Sequence, residues 1–323
     1  MTIRRPLTYA LLLVPLGAQA MEFSFDNGID LSVDSTATWG AQWRVESRDK
    51  DLTGRQFLAD LEEDPFLPLT RPAYSERQTQ LINGNDGNNN FDQGLISHRV
   101  TLLVDMDARW QDYGLFLRGR AFYDQVYRDD DTDIGELDYR TYNSGEFYGG
   151  DAARGEFPRQ TRDNHGDTYE ILDAFLYGTW ELPGDRLLDV RLGRQVINWG
   201  ESTFYQGVNS IQNRIDAQAA NVPGVEVKEI FLPTGALYAQ VDLLSNLTME
   251  AYYQYEWIEN DLNGVGSYFS YTDQVGFGAN AFLIPTPNSP LVPEDIRGNE
   301  FNLRGVPREK DDNASDSGQW GVA

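Results

Sequence analysis

The stretch Leu31-Ser32-Val33-Asp34-Ser35-Thr36-Ala37-Thr38-Trp39-Gly40-Ala41-Gln42-Trp43-Arg44-Val45 carries an apolar or small side chain at every odd position. The even positions hold aspartate, serine, threonine, glycine, glutamine or arginine. Successive side chains of an extended chain point to opposite faces, so this run builds a strand with one apolar and one polar side. It is also much longer than the ~5–6 residues of an ordinary strand. Long two-faced strands are what a transmembrane β-barrel needs, because only alternate residues meet lipid.

Working back from this stretch, residues 1–20 (MTIRRPLTYALLLVPLGAQA) place two arginines before an apolar run and end on Ala18-Gln19-Ala20. This is the pattern of a secretory leader, and its apolar run is too short for a membrane-spanning helix. The expected division is therefore a signal peptide at 1–20 and a barrel domain at 21–323.

The 323 residues carry 26 Lys+Arg against 51 Asp+Glu, a formal net charge of -25. Such a chain repels nucleic-acid phosphates, and nucleic acid is set aside as a partner. A mean hydropathy of -0.51 and the absence of any apolar run near ~20 residues exclude helical spans. It does not exclude barrel strands. Cysteine is absent, so disulfides and thiolate metal sites are excluded.

Working forward, alternation predicts further strands at 97–110, 115–126, 169–182, 186–197, 236–244 and 247–258. Tight turns at 111–114, 183–185 and 245–246 alternate with long polar connections at 46–96, 127–168, 198–235 and 259–318. Short turns on one side and long loops on the other characterise outer-membrane barrels. Trp110 and Trp180 fall beside the short turns, while Trp39, Trp43, Tyr123, Tyr253 and Trp257 fall towards the long loops. Two such belts suit the two interfaces of a bilayer. Gln319-Trp320-Gly321-Val322-Ala323 reads as the opening of an eighth strand. The expected fold class is all-β: the N-terminal part of a transmembrane antiparallel β-barrel of outer-membrane type, about seven strands and the start of an eighth, with long external loops.

Alternation also sorts side chains. Leu172, Ala174 and Leu176 are expected on the lipid face of the third of these later strands, and Arg194 of the next one breaks the pattern by landing on that face. The polar face should carry Arg99, Asp105, Arg118, Arg120, Asp173, Asp189, Arg191, Glu250 and Glu256, with Phe116, Ile171, Phe175, Tyr238 and Tyr252. Rows of arginine facing carboxylates would sort solutes by charge. Cross-strand pairing that only fills the interior is the alternative.

The connection at 198–224 is the candidate constriction, contributing Trp199, Glu201, Asn209, Arg214 and Asp216. Ser210 could cap a short helix there that Pro223-Gly224 would end. The amide-rich run Asn83–Asn90 and the acidic run Asp129–Asp133 lack the spacing of a calcium loop and read as solvated loops, so no metal or cofactor is expected. Only His98 and His165 are present, and no serine stands in a nucleophile elbow; enzymatic activity is not expected, a lipid hydrolase being the nearest such reading.

Leu192-Gly193-Arg194-Gln195-Val196-Ile197-Asn198-Trp199-Gly200-Glu201-Ser202 resembles the LGRQVxNWGES segment of a proteobacterial outer-membrane family catalogued as domain of unknown function 1302. Gly207-Val208-Asn209-Ser210-Ile211 and Val222-Pro223-Gly224-Val225-Glu226-Val227-Lys228-Glu229 resemble its continuation. Gln212-Asn213-Arg214 stands where the family commonly has an Asn-Pro pair. The resemblance implies a longer barrel in the outer membrane of a Gram-negative bacterium, in contact with lipopolysaccharide and delivered by the barrel-insertion machinery. It further implies movement of hydrophobic or lipid-like molecules with a periplasmic lipoprotein and an inner-membrane exporter. The expectation is a porin-like channel or transporter. The rival is a non-conducting structural or adhesive barrel acting through its loops.

Overall fold

The computed structural model describes residues 11–48, 84, 86–128, 157–199, 212–272, 274–279, 281–285 and 303–323. Nine strands form one antiparallel sheet: β1 (Leu11–Ser24), β2 (Ile29–Arg44), β3 (Gly94–Trp110), β4 (Tyr113–Asp124), β5 (Asp167–Leu182), β6 (Arg186–Gln195), β9 (Thr234–Leu244), β10 (Leu247–Gln254) and β13 (Trp320–Val322), neighbours in that order. Two small ladders stand apart, β7 (Arg214–Ile215) with β8 (Phe231–Leu232) and β11 (Ala281–Pro285) with β12 (Leu303–Pro307). The seven expected strands and the opening of an eighth are all present. Among the described residues no ladder joins β1 to β13, so the sheet is open.

Strand direction follows from the connections. Gln111 and Asp112 alone join β3 to β4, with Gln111 held left-handed at φ 54°. Two-residue hairpins favour such conformations because they match the twist of the flanking strands.

One difference concerns the N-terminus. Residues 11–24, most of them expected to be leader, are paired with β2 from Leu11 opposite Gln42 to Ser24 opposite Asp30. In the whole chain they satisfy the edge hydrogen bonds that β2 would otherwise leave open.

The two faces separate as alternation demands. On β3, Val100, Leu102, Met106 and Trp110 are exposed on one side, while Arg99, Thr101 and Leu103 are buried on the other. Tyr123, Leu176, Leu192, Leu237 and Tyr253 continue the exposed apolar face. Tyr113 and Trp180 meet edge-on at 5.6 Å beside the short turns. On the same outer face, Trp39 Nε1 donates to His98 Nε2 at 2.9 Å near the long connections.

β5 departs from the expected register. Leu117 pairs with Ala174, but Gly119 pairs with Ile171, so one extra residue is accommodated on β5. This bulge places Leu172 and Asp173 on the same, polar side. Leu172 is therefore buried instead of lipid-facing, Ile171 is exposed on the outer face, and Glu170 points inward.

Arg194 does lie on the outer side. It is neutralised by Glu256, which receives both Nε and Nη2. β10 ends at Gln254, so Glu256 is free to turn to that side instead of the polar face where alternation placed it.

The long connections also differ from solvated loops. Asp86–Asn90 forms a helical turn in which Asn88 and Asn90 are buried, and Asn90 Nδ2 donates to the Gly266 carbonyl at 3.1 Å. Gly87 is required there, since a Cβ would sit 2.3 Å from the Tyr268 carbonyl oxygen. Phe91, Ile96, Val126, Tyr127 and Phe157 form a closed apolar cluster, with Leu95 and Tyr268 packed against it. Aromatics from successive connections thus build a capping unit over the long-loop end. Asp124 ties it to the sheet, accepting from Ser97 Oγ at 2.5 Å and from the backbone N–H groups of His98 and Val126, each at 3.1 Å. Asp129–Asp133 lies outside the described residues.

Candidate functional site

The polar face is crossed by one continuous segment, residues 212–233, hereafter the strap. It starts beside the end of β6, where the Asn213 side chain exchanges two hydrogen bonds with the Ile197 backbone, 3.0 Å from N–H and 2.7 Å to carbonyl. It reaches β4 at Asp216, and β2 at Asn221, whose carbonyl accepts from Gln42 Nε2 at 2.8 Å. Pro223 lies against Gly40 so closely that a Cβ there would be 2.9 Å from the Pro223 carbonyl oxygen. The return leg brings Lys228 Nζ within 3.9 Å of Asp105 and buries Leu232 against Leu103 and Leu172. β7 and β8 pair the two legs. A 3-10 turn, Ala219–Asn221, occupies part of the span where a helix is expected; Ser210 lies outside the described residues.

Charge fixes the crossing. Arg120 Nη2 bonds Asp216 at 2.9 Å, its Nε bonds Glu170 at 2.9 Å, and its Nη1 donates to the Glu229 carbonyl at 3.2 Å. The Arg120 and Asp216 side chains are only 3% and 7% exposed, so little water competes with the pair. Asp216 also accepts from the N–H groups of Gln218 and Ala219, which turns the strap towards β2. Arg118 grips Asp105 with two bonds of 2.7 and 2.8 Å and reaches Asp173 at 3.3 Å. Fork-on-fork contacts of this kind are the strong form of the arginine–carboxylate pair.

The remaining candidates divide. The Arg99 guanidinium lies over the Phe122 ring at 3.3 Å, and Arg191 stands over Tyr238 at 5.1 Å. Asp189 accepts from Thr179 Oγ1, and Glu250 stands opposite Gln240 in the β9–β10 ladder. Arg118 and Arg120 are thus paired with carboxylates of adjacent strands and of the strap; they do not face them across an open space. Trp199 packs on Tyr252 at 5.2 Å. Arg214 bonds Asp261 at 2.7 Å and the Glu259 carbonyl at 2.9 Å. Burial raises the Asp261 carboxyl above the usual range against the pull of that arginine. Glu201 and Asn209 lie outside the described residues. Glu170, Lys228, Glu229 and Leu232 belong to the site and escaped the sequence reading. The acid-base pattern of Val227-Lys228-Glu229-Ile230 was the available signal for two of them, Lys228 and Glu229, and the β5 bulge hid Glu170.

Towards the short turns the strap leaves a cavity of about 590 Å³, walled by Asp30, Asp34, Asp105, Asp107, Arg109 and Phe116 among others. Towards the long loops stands His165 of the cap. Its Nε2 accepts from the Gly264 N–H at 2.8 Å, and its ring lies 4.8 Å from Tyr127. Burial, reinforced by the charge of Arg99, pushes its pKa down to about 3. The ring is therefore neutral when the cap is closed and takes a proton near 6.5 when the cap opens. Closure is favoured fully above pH 6.5 and loses that support as the pH falls towards 3. Below about pH 6 the opening equilibrium should rise roughly tenfold per pH unit. Near-UV circular dichroism of the cap aromatics should fade over that window, and His165→Gln should abolish the trend. A trend that persists in the variant assigns it to another group.

No curated protein and no solved structure matches this chain. The model of the family described as protein of unknown function (DUF1302) matches residues 3–323. Matched along nearly its entire length, with a two-faced sheet and a pinned strap as its structural content, the chain belongs to the DUF1302 family.

Proposed function

We propose that this chain is the wall and constriction of an outer-membrane β-barrel that passes or delivers a solute. The observation that carries this reading is the strap: a 22-residue loop (212–233) laid across the polar face of a lipid-compatible sheet and pinned there by Arg120 and Asp216. A loop folded into a barrel sets the narrowest section through which solute passes. The exposed apolar row of Val100, Leu102, Leu176, Leu192 and Leu237 supports contact with lipid tails. Lipopolysaccharide then surrounds the long-loop end, the barrel-insertion machinery delivers the chain, and a periplasmic lipoprotein with an inner-membrane exporter supplies the cargo.

The test is planar-bilayer recording on the full-length natural protein and on a version whose residues 214–230 are replaced by a short Gly-Ser link. Conductance should rise several-fold in the replacement. Equal conductance removes the constriction, and absence of current in both favours the adhesive or structural barrel. Recovery of folded chain free in the periplasm, without detergent, would falsify the barrel itself.

A further inference from the structure

We infer that the long-loop end of the polar face holds a binding groove for a neutral saccharide. The inference deepens the proposed transport reading by naming a solute class, and rests on it for the groove's role in passage. Two cavities, of about 340 and 620 Å³, share Trp257, Glu259 and Asn260 in their walls. The first adjoins the strap and β10, and the second lies by the cap segments that carry Gln160, Asn164 and Phe277. Both volumes fall within the range of small-molecule sites.

Planar amides recur in the lining; Asn213 is engaged at both halves by Ile197, while four others are held by one half. Gln254 Nε2 donates to the Gln212 carbonyl at 2.7 Å and to Thr234 Oγ1 at 3.1 Å. Asn260 Oδ1 accepts from the Ile215 N–H at 2.8 Å, and Asn164 Nδ2 donates to the Gln160 carbonyl at 2.7 Å. Gln319 Nε2 donates to the Ser315 carbonyl at 3.2 Å, while its buried Oε1 has no partner. A primary amide offers two donors and a two-lone-pair acceptor, so anchoring one half orients the other without using it. A hydroxyl group is itself donor and acceptor, and a row of fixed amides therefore matches a row of hydroxyls.

Charge and shape narrow the class further. Arg214 is neutralised by Asp261, and Arg308 by Asp311, which leaves these cations engaged and gives an anion little to bind. The indole of Trp257 and the ring of Tyr252 supply flat apolar surface, the complement of the C–H face of a pyranose. A purely hydrocarbon cargo would strand the buried amide oxygen of Gln319, and unpaired buried polar groups reject such ligands strongly.

Isothermal titration calorimetry on the full-length protein in detergent, with maltotriose, cellotriose and tri-N-acetylchitotriose as probes, tests this. At least one should bind; Trp257→Ala should weaken it tenfold or more, and Gln319→Ala about fivefold. Trp257→Phe, which keeps a ring in place, should retain most of the affinity, as should the outer-face change Trp110→Phe. Each variant is first checked for a native heat-modifiable gel shift. The inference is overturned if none of the three sugars gives heat up to about 10 mM, the weak end of specific binding, or if affinity survives both Trp257→Ala and Gln319→Ala. Because the readout needs no current, a protein that conducts but gives no heat overturns the saccharide groove alone. One that gives heat but never conducts overturns the channel alone.

Discussion

Arg120→Ala should free the strap. Removing that guanidinium leaves Asp216 buried without its cation and the Glu229 carbonyl without its donor. Breaking one side of a buried ion pair costs about 3–5 kcal/mol, because the remaining charge stays desolvated. The strap can escape that cost by detaching into water, whereas β4 is locked by twelve register pairs to β3. Detachment exposes the Lys228–Glu229 bond to trypsin, and when reclosing is fast the cutting rate follows the open population. Cleavage there should therefore accelerate at least ~10²-fold, since 1.36 kcal/mol is a factor of ten. Asp216→Asn should do less, and the two changes together should fall well short of additive, as expected for direct partners. Unchanged cleavage at Lys228 in Arg120→Ala would show that Leu232 and the Gly40–Pro223 contact hold the crossing unaided.

The second large effect is expected in the cap. Phe157 is 1% exposed, with ring centroids of Phe91 and Tyr127 at 5.9 and 4.9 Å. Phe157→Ala removes a fully buried ring and should cost about 3–5 kcal/mol. The loss should stay local, because the strands are held by their own ladders. Hydrogen exchange at residues 157–166 and 264–268 should speed up ~10²–10³-fold, while β3 to β6 keep their protection. Tyr271, 86% exposed, is the control, and its change to alanine should stay within about 0.5 kcal/mol. Loss of strand protection in Phe157→Ala would mean that cap and sheet unfold as one unit.

These two regions differ in how far the sequence exposes them. Strand positions were legible because a half-buried strand repeats every two residues, and β3 keeps that repeat from Ser97 to Trp110. Alternation also put Asp105 and Arg118 on one face, but a turn over 111–114 would have set Asp105 opposite Arg120, and it is the two-residue hairpin at Gln111–Asp112 that sets it opposite Arg118. The β5 bulge was not legible, because Ile171-Leu172-Asp173 contains no glycine or proline to mark it. Its need arises from Leu232, far along the chain, which requires an apolar seat between β3 and β5. The cap was missed for a related reason. Phe91, Tyr127, Phe157 and Tyr268 are scattered over three connections and have no period in common, so each read as a lone aromatic in polar surroundings. Glu256 was misplaced because alternation was carried past Gln254, where β10 stops.

The irregularity at Leu172 makes β5 two strands out of phase, spliced end to end. Up to Leu172 the even-numbered residues look inward, and from Asp173 the odd-numbered ones do. Excising Leu172 alone would bring both halves into step, keeping Ile171 outward and Asp173 beside Arg118. Excising one residue nearer Thr179 would invert everything between the cut and the splice. Length changes in this part of the chain are thus tolerable at a single address, and that address is where the wall meets the foot of the strap's return leg.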